Sequence, residues 1–127
     1  MSLKNIAVEG MTVLADLPVV AVVTPDPATG TKTSATALVY RDGDTIQVSN
    51  ITDPTAGATI PDPAIYEAKM ISSATRVKSE SVLVLLDGDE SETIDATPQI
   101  PGSPPVDYPV SFKCTITVPG QIKAKAQ

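Results

Sequence analysis

Twelve prolines and seven glycines cut this chain of 127 residues into short segments, and what lies between them is rich in Val, Ile and Thr. β-Branched side chains favour pleated backbone, whereas Pro and Gly interrupt helices, so the punctuation dictates an all-β fold with little or no helix. At this length the segments enclose one core and not two. The expected architecture is a single small antiparallel β-domain spanning residues 1–127, with long Pro-rich loops.

The individual segments follow from pattern. Residues 17–23 (Leu-Pro-Val-Val-Ala-Val-Val) make a short β-run that the Pro- and Gly-containing turn at 24–30 closes. A Thr-rich run over 31–40 ends at Arg41-Asp-Gly-Asp44, and Asp-Gly between β-runs predicts a hairpin in which Thr45-Ile-Gln-Val-Ser49 is the returning strand. Ile46 and Val48 then share one face. Residues 50–64, with three prolines and a glycine, read as an irregular loop, and 65–71 as a strand rather than a helical turn. Residues 81–86 are apolar on both faces, the mark of a strand covered on both sides. Residues 91–109 read as a Pro-rich surface loop. In the run that follows, Val110, Phe112, Cys114, Ile116 and Val118 alternate with Ser111, Lys113, Thr115 and Thr117. That period of two makes the first set the buried face of a structural core strand. Residues 1–15 are a candidate N-terminal arm, and 122–127 a basic tail able to add an edge strand.

Two turns echo each other. Leu38-Val-Tyr-Arg-Asp-Gly-Asp44 and Leu83-Val-Leu-Leu-Asp-Gly-Asp89 each follow a Ser-Ala-Thr, at different spacings, and Pro-Asp-Pro-Ala occurs at both 25–28 and 61–64. Unequal spacing excludes a solenoid. Stereotyped turn composition accounts for the echo, and a duplicated β-meander is the alternative.

The chemistry the chain excludes is broader than any it suggests. It contains no His, which removes the commonest general base, Ser-His-Asp and Cys-His arrangements and every His-based metal site. Its net charge of -6 and scattered basic residues, clustered only at Lys123 and Lys125, do not suit a nucleic-acid surface. The acidic turn 87–92, with Asp42 and Asp44, has oxygen ligands but not the spacing of a Ca²⁺ loop, and reads as a solvated hairpin tip. Cys114, on an apolar face without a basic neighbour, reads as a small buried hydrophobe; the sharper alternative is a thiol on the axis of an oligomer. Fifteen carboxylates supply acid/base pairs on paper, but the four aromatic residues make a poor sugar platform. No catalytic residue, metal site, cofactor or small-molecule substrate is expected, and the chain is not expected to be an enzyme. No apolar run matches a signal-peptide core or a bilayer span, so the chain is expected to be soluble and made in the cytoplasm.

A domain poor in aromatics, relying on β-branched packing and long connectors, commonly completes its core or covers its sheet edges against a partner. From Ser72 to Gln127 the order Ser-Ala-Thr-Arg-Val-Lys-Ser-Glu-Ser-Val-Leu-Val-Leu-Leu-Asp-Gly-Asp, then Ile100-Pro-Gly102, then Cys-Thr-Ile-Thr-Val-Pro-Gly-Gln-Ile-Lys-Ala resembles the C-terminal half of PAAR-like proteins. Those proteins cap the central spike of contractile phage tails, type VI secretion systems and related injection particles. Gly10-Met11 and the Tyr-Arg-Asp-Gly-Asp44 turn fit the pattern loosely, and the resemblance covers under half the chain. It implies a rigid β-domain seated on a trimeric, hub-like spike protein within a virion or extracellular particle, with transient contact with a target membrane. The zinc that pins typical members is not carried over, because His is absent and Cys114 alone builds no such site. Two other readings stand beside it: a capsid decoration or cement protein, with residues 1–15 as the arm on the shell, and an Ig-like or carbohydrate-binding surface module.

Overall fold

The computed structural model describes residues 4–30, 38–120 and 125–126. The chain is all-β, with one 3₁₀ turn at Pro54–Ala56 among the described residues. Three consecutive units repeat one plan: a short central segment, a glycine turn, an excursion of strands that leaves and returns, and a crossing into the next unit.

In the first unit β1 (Lys4–Asn5) leads into the central segment 6–8, and the excursion is β2 (Thr12–Ala15) and β3 (Val20–Pro25). The second unit has central segment 39–41, then β4 (Thr45–Asp53), β5 (Ala58–Asp62) and β6 (Tyr66–Lys69). In the third, the hairpin of β7 (Lys78–Ser79) and β8 (Val82–Leu83) enters central segment 84–86. Its excursion comprises β9 (Ile94–Ala96), β10 (Gln99–Ile100), β11 (Val106–Asp107), β12 (Val110–Phe112) and β13 (Cys114–Val118), and β14 (Lys125–Ala126) returns to pair with β1.

The excursions enclose the main core by pairing with one another. β2 pairs with β13, β3 with β4, and β5 with β10, each across a boundary between units. β4 shows how sequence sets this. Ile46 and Val48 are fully buried and Gln47 is exposed, but beyond Ser49 the alternation shifts phase. Asn50 takes φ 52°, a left-handed conformation that Asn tolerates, and the β3–β4 register slips between Val20 and Val22. The bulge returns Ile51 to the core and lets β4 change its neighbour on one edge from β6 to β5.

Several expectations are corrected. The Asp-Gly turn at 42–43 forms, but its flanking strands do not pair with each other, because the central segment before it is claimed by the other two units. Residues 50–64 are largely strand and 91–109 contain β9, β10 and β11, since most of their prolines fall at strand ends and turns and Pro61, within β5, is not among its paired positions. Residues 4–15, the candidate arm, lie within the fold, with Ala7, Val8 and Val13 buried. The core strand is divided: Val110 and Phe112 pair with β9, and Cys114 and Ile116 with β2. Phe112, Cys114 and Ile116 are buried and Val110 is half-buried, whereas Val118 is 51% exposed, because the register shifts after Ile116. Within the run 31–40, residues 31–37 lie outside the described residues, as do 121–124 and 127 of the tail.

Candidate functional site

The three central segments close into a ring. Each lies antiparallel to the next, with bridges Val8 to Val39, Arg41 to Val84 and Leu86 to Ile6. Tyr40 N donates to Ala7 O at 3.0 Å, Leu85 N to Tyr40 O at 2.9 Å and Ala7 N to Leu85 O at 2.9 Å. A second cycle repeats it outside: Glu9 N to Leu38 O, Asp42 N to Leu83 O and Asp87 N to Asn5 O. Ala7, Tyr40 and Leu85 therefore occupy one equivalent position, and Gly10, Gly43 and Gly88 another. The ring has quasi-threefold symmetry.

Alternation of side chains along each segment gives the ring two faces. Ala7, Tyr40 and Leu85 point into the main core with the excursions. Ile6, Val8, Val39, Val84 and Leu86 point the other way, into a smaller core with Ala74, covered by Val77 and Leu83. The sixth position on that face is Arg41. Its guanidinium donates from Nε to Thr29 Oγ1 at 3.0 Å and from Nη1 to Ser79 O at 3.2 Å, and Nη1 lies 3.8 Å from Glu80 Oε2. Arg41 thus ties the β7–β8 hairpin to the ring.

Each corner of the ring is a four-residue turn closed at 3.0 Å: Met11 N to Val8 O, Asp44 N to Arg41 O and Asp89 N to Leu86 O. The glycines adopt φ of 95°, 88° and 86°, which a side chain would strain. At two corners an aspartate locks the turn. Asp89 Oδ2 accepts Leu86 N at 2.8 Å and Ser73 N at 3.2 Å, while Ser73 Oγ donates to Oδ1. Asp44 repeats the set with Arg41 N at 2.8 Å, Thr29 N at 3.4 Å and Thr29 Oγ1 at 2.5 Å. At the first corner Met11 replaces the carboxylate, and Val8 N donates to Pro119 O at 2.9 Å instead. Gly120 beside it leaves no room for a side chain: a Cβ there would lie 3.0 Å from Val8 O.

Four of the six candidate ligands of the acidic turns are engaged in backbone or side-chain hydrogen bonds. Asp44 and Asp89 are buried rather than solvated, Asp42 Oδ1 accepts Ser72 N at 2.8 Å, and Glu92 Oε1 accepts Lys69 N at 3.0 Å. Among the described residues no three His, Cys, Asp or Glu converge as metal ligands. A cleft of about 260 Å³ at the third corner is lined by Lys4, Ser72, Ser73, Asp89, Ser91 and Lys113 among others. The hydroxyls of Ser72, Ser73 and Ser91 donate to Val84 O, Asp89 and Glu92 O, so these three are already engaged.

No family model matches the chain, and no curated protein or solved structure matches it. Its own geometry must then carry the functional reading.

Cys114 is fully buried, and burial followed by the nearby Asp16 charge pushes its thiol up to about 11. A thiol so placed is a poor nucleophile. Asp62 has a different role. Burial opposes its ionisation, but bonds from Thr97 N at 2.8 Å, Tyr66 Oη at 2.6 Å and Ala64 N at 2.8 Å outweigh it and hold the carboxyl below its ordinary value. The Thr97 bond fastens the Pro-rich segment after β9 to the second excursion, and the other two hold Asp62 in place within that excursion. Neither the ring nor the Asp62 clamp was among the sequence candidates. The echo of the two Asp-Gly-Asp turns was the available signal for the ring, and Val8-Glu-Gly-Met11 is its third copy.

Proposed function

We propose that this chain is a structural cap on the end of a trimeric spike in a phage-like contractile tail or injection particle. The closed ring of three equivalent segments carries the reading. A single chain that must sit on the axis of a trimer faces three identical surfaces, and quasi-threefold backbone lets one copy meet all three in the same way. The resemblance of residues 72–127 to PAAR-like proteins supports the same role. Rigidity supports it too: the ring is backbone-bonded on both edges, and its corners are locked by aspartate or by a neighbouring carbonyl.

The cap acts by fit rather than by catalysis. Its buried carboxylates serve turns, its thiol is sealed in the core, and its cleft at the third corner presents hydroxyls already engaged. Native mass spectrometry of the purified chain mixed with the trimeric spike protein of its particle tests the role. One chain per three spike subunits is expected. Self-assembly that ignores the spike, or many copies bound to a capsid shell, overturns it in favour of a decoration protein.

A further inference from the structure

Quasi-threefold symmetry lets the junctions between units be compared within one molecule. After each excursion a crossing segment touches the next corner of the ring. It brings Thr29 to the second corner, Ser73 to the third, and Pro119 with Gly120 to the first. Beyond the corner the equivalence continues. Ser73 lies five residues before Lys78, which faces Leu83, and Gly120 lies five residues before Lys125, which faces Asn5. Leu83 O and Asn5 O accept from Asp42 N and Asp87 N, so they hold matching places in the outer cycle of bonds. The next pairs, Ser79 with Val82 and Ala126 with Lys4, match as well. The pair of β14 with β1 is therefore the counterpart of the β7–β8 hairpin, in the same register.

The two pairs differ in how they are held. Glu80 and Ser81 join β7 to β8, with φ of 50° and 70°, so β7 is fixed at that turn and at Ser73. No turn joins β14 to β1, which come from opposite ends of the sequence, and β14 is fixed through Pro119 and Gly120. A strand fixed at both ends loses its bonds together, whereas one fixed at a single end frays bond by bond.

The corner at this junction is also the less fastened. Arg41 N and Leu86 N donate to Asp44 and Asp89, and each carboxylate also takes the amide and hydroxyl of the crossing residue, Thr29 or Ser73. Val8 N, at the equivalent position, donates to Pro119 O, and Gly120 has no side chain with which to add a bond.

We infer that the ring has a built-in opening point: β14 and the Pro119–Gly120 crossing form a clasp that releases the first corner while the two aspartate-locked corners stay closed. The missing turn and the missing carboxylate are independent features, and they coincide at one junction. Release frees Val8 N and uncovers its side chain, which packs against Gly120 and is 1% exposed. The clasp belongs to the ring itself and stands or falls apart from the cap reading.

Amide hydrogen exchange of the full chain, resolved by NMR and corrected for intrinsic rates, compares Val8 with Arg41 and Leu86. Val8 is expected to exchange about tenfold faster than either. Joining Gln127 to Met1 by a peptide bond closes the clasp covalently, with residues 127 and 1–3 as the connection. In that cyclised chain Val8 is expected to slow to within about threefold of Arg41 and Leu86, whose own rates stay as they were. Opening the cyclised chain between Glu80 and Ser81 moves the break to the third junction, where Val84 N is bonded to Val77 O at 3.1 Å. Val84 is then expected to quicken while Val8 stays slow; circular dichroism checks that this permutant is folded, and the cyclised chain carries the test by itself should it not be. Equal exchange at the three corners of the parent chain overturns the inference. So does a Val8 rate that cyclisation leaves unchanged, or a folded permutant in which Val8 is fast and Val84 slow.

Discussion

Replacing Asp89 by Met tests whether the carboxylate locks are what hold the ring's corners. The substitution copies the natural occupant of the first corner, so its side chain is known to suit such a turn. The surroundings differ, however. Val8 N at the first corner has Pro119 O as its acceptor, whereas Leu86 N and Ser73 N at the third rely on Asp89 Oδ2, at 2.8 and 3.2 Å. Removing the carboxylate leaves two backbone donors and the Ser73 hydroxyl short of an acceptor, at a site where Leu86 is 1% exposed and Asp89 4%. A buried donor without a partner costs about 1–3 kcal/mol, and bonds to an ionised acceptor lie at the upper end, so about 3–5 kcal/mol is expected in all. For a domain of this size the unfolding entropy near the midpoint is about 0.27 kcal/mol per kelvin, which converts that loss to a fall in Tm of roughly 10–20 °C. Urea titration followed by circular dichroism and by tyrosine fluorescence measures it, with an unchanged slope indicating an intact two-state transition. A loss under about 1 kcal/mol would show that the corner keeps its shape without the lock, and the account of the ring's rigidity would fail.

Three further outcomes follow from the geometry. Asp62 is held below its ordinary pKa, so its contribution is present above the unfolded value of about 4 and disappears as pH falls through the lower folded value; Asp62→Asn should flatten that acid limb of the stability curve, and an unaltered limb refutes the clamp. Cys114→Ser should cost about 1–3 kcal/mol in urea titration, through a hydroxyl on a buried apolar face, and leave spike binding unchanged; lost binding at unchanged stability would point to an axial thiol. Gly43 and Gly120 both have positive φ, but only Gly120 has backbone atoms within 3.0–3.1 Å of the place an added methyl group would occupy. Gly120→Ala should therefore destabilise by clearly more than the roughly 1–2 kcal/mol of Gly43→Ala, and equal losses would show that the first corner yields freely.

The sequence was most informative where a pattern depends on neighbours in the chain. Alternation located the shared face of Ile46 and Val48 and the buried face of Phe112, Cys114 and Ile116, and an apolar run on both faces marked the strand character of 81–86. It failed where pairing is distant. Asp42-Gly43 carries a local hairpin signal, yet residues on its N-terminal side bond to Ala7 and Leu85, partners that no window around the turn contains. The ring escaped for a related reason: its first copy, Glu9-Gly10-Met11, has Met where the other two have the aspartate that makes them look alike, and a carbonyl from residue 119 serves as the acceptor there.

Closure of the ring also governs how the protein can be made. Its first segment needs Leu38 O and Leu85 O as acceptors and Tyr40 N as donor, its first corner needs Pro119 O, and β2 has its ladder partner in Cys114 to Val118. The growing polypeptide can therefore pair its first segment with residues 38–40 early, but its first corner and β2 wait for partners until nearly the whole chain has left the ribosome. Such late, non-local closure makes for slow folding. It also acts as a check on synthesis: a product cut off before Cys114 lacks the acceptor of the first corner and the mate of β2, so both stay unfinished.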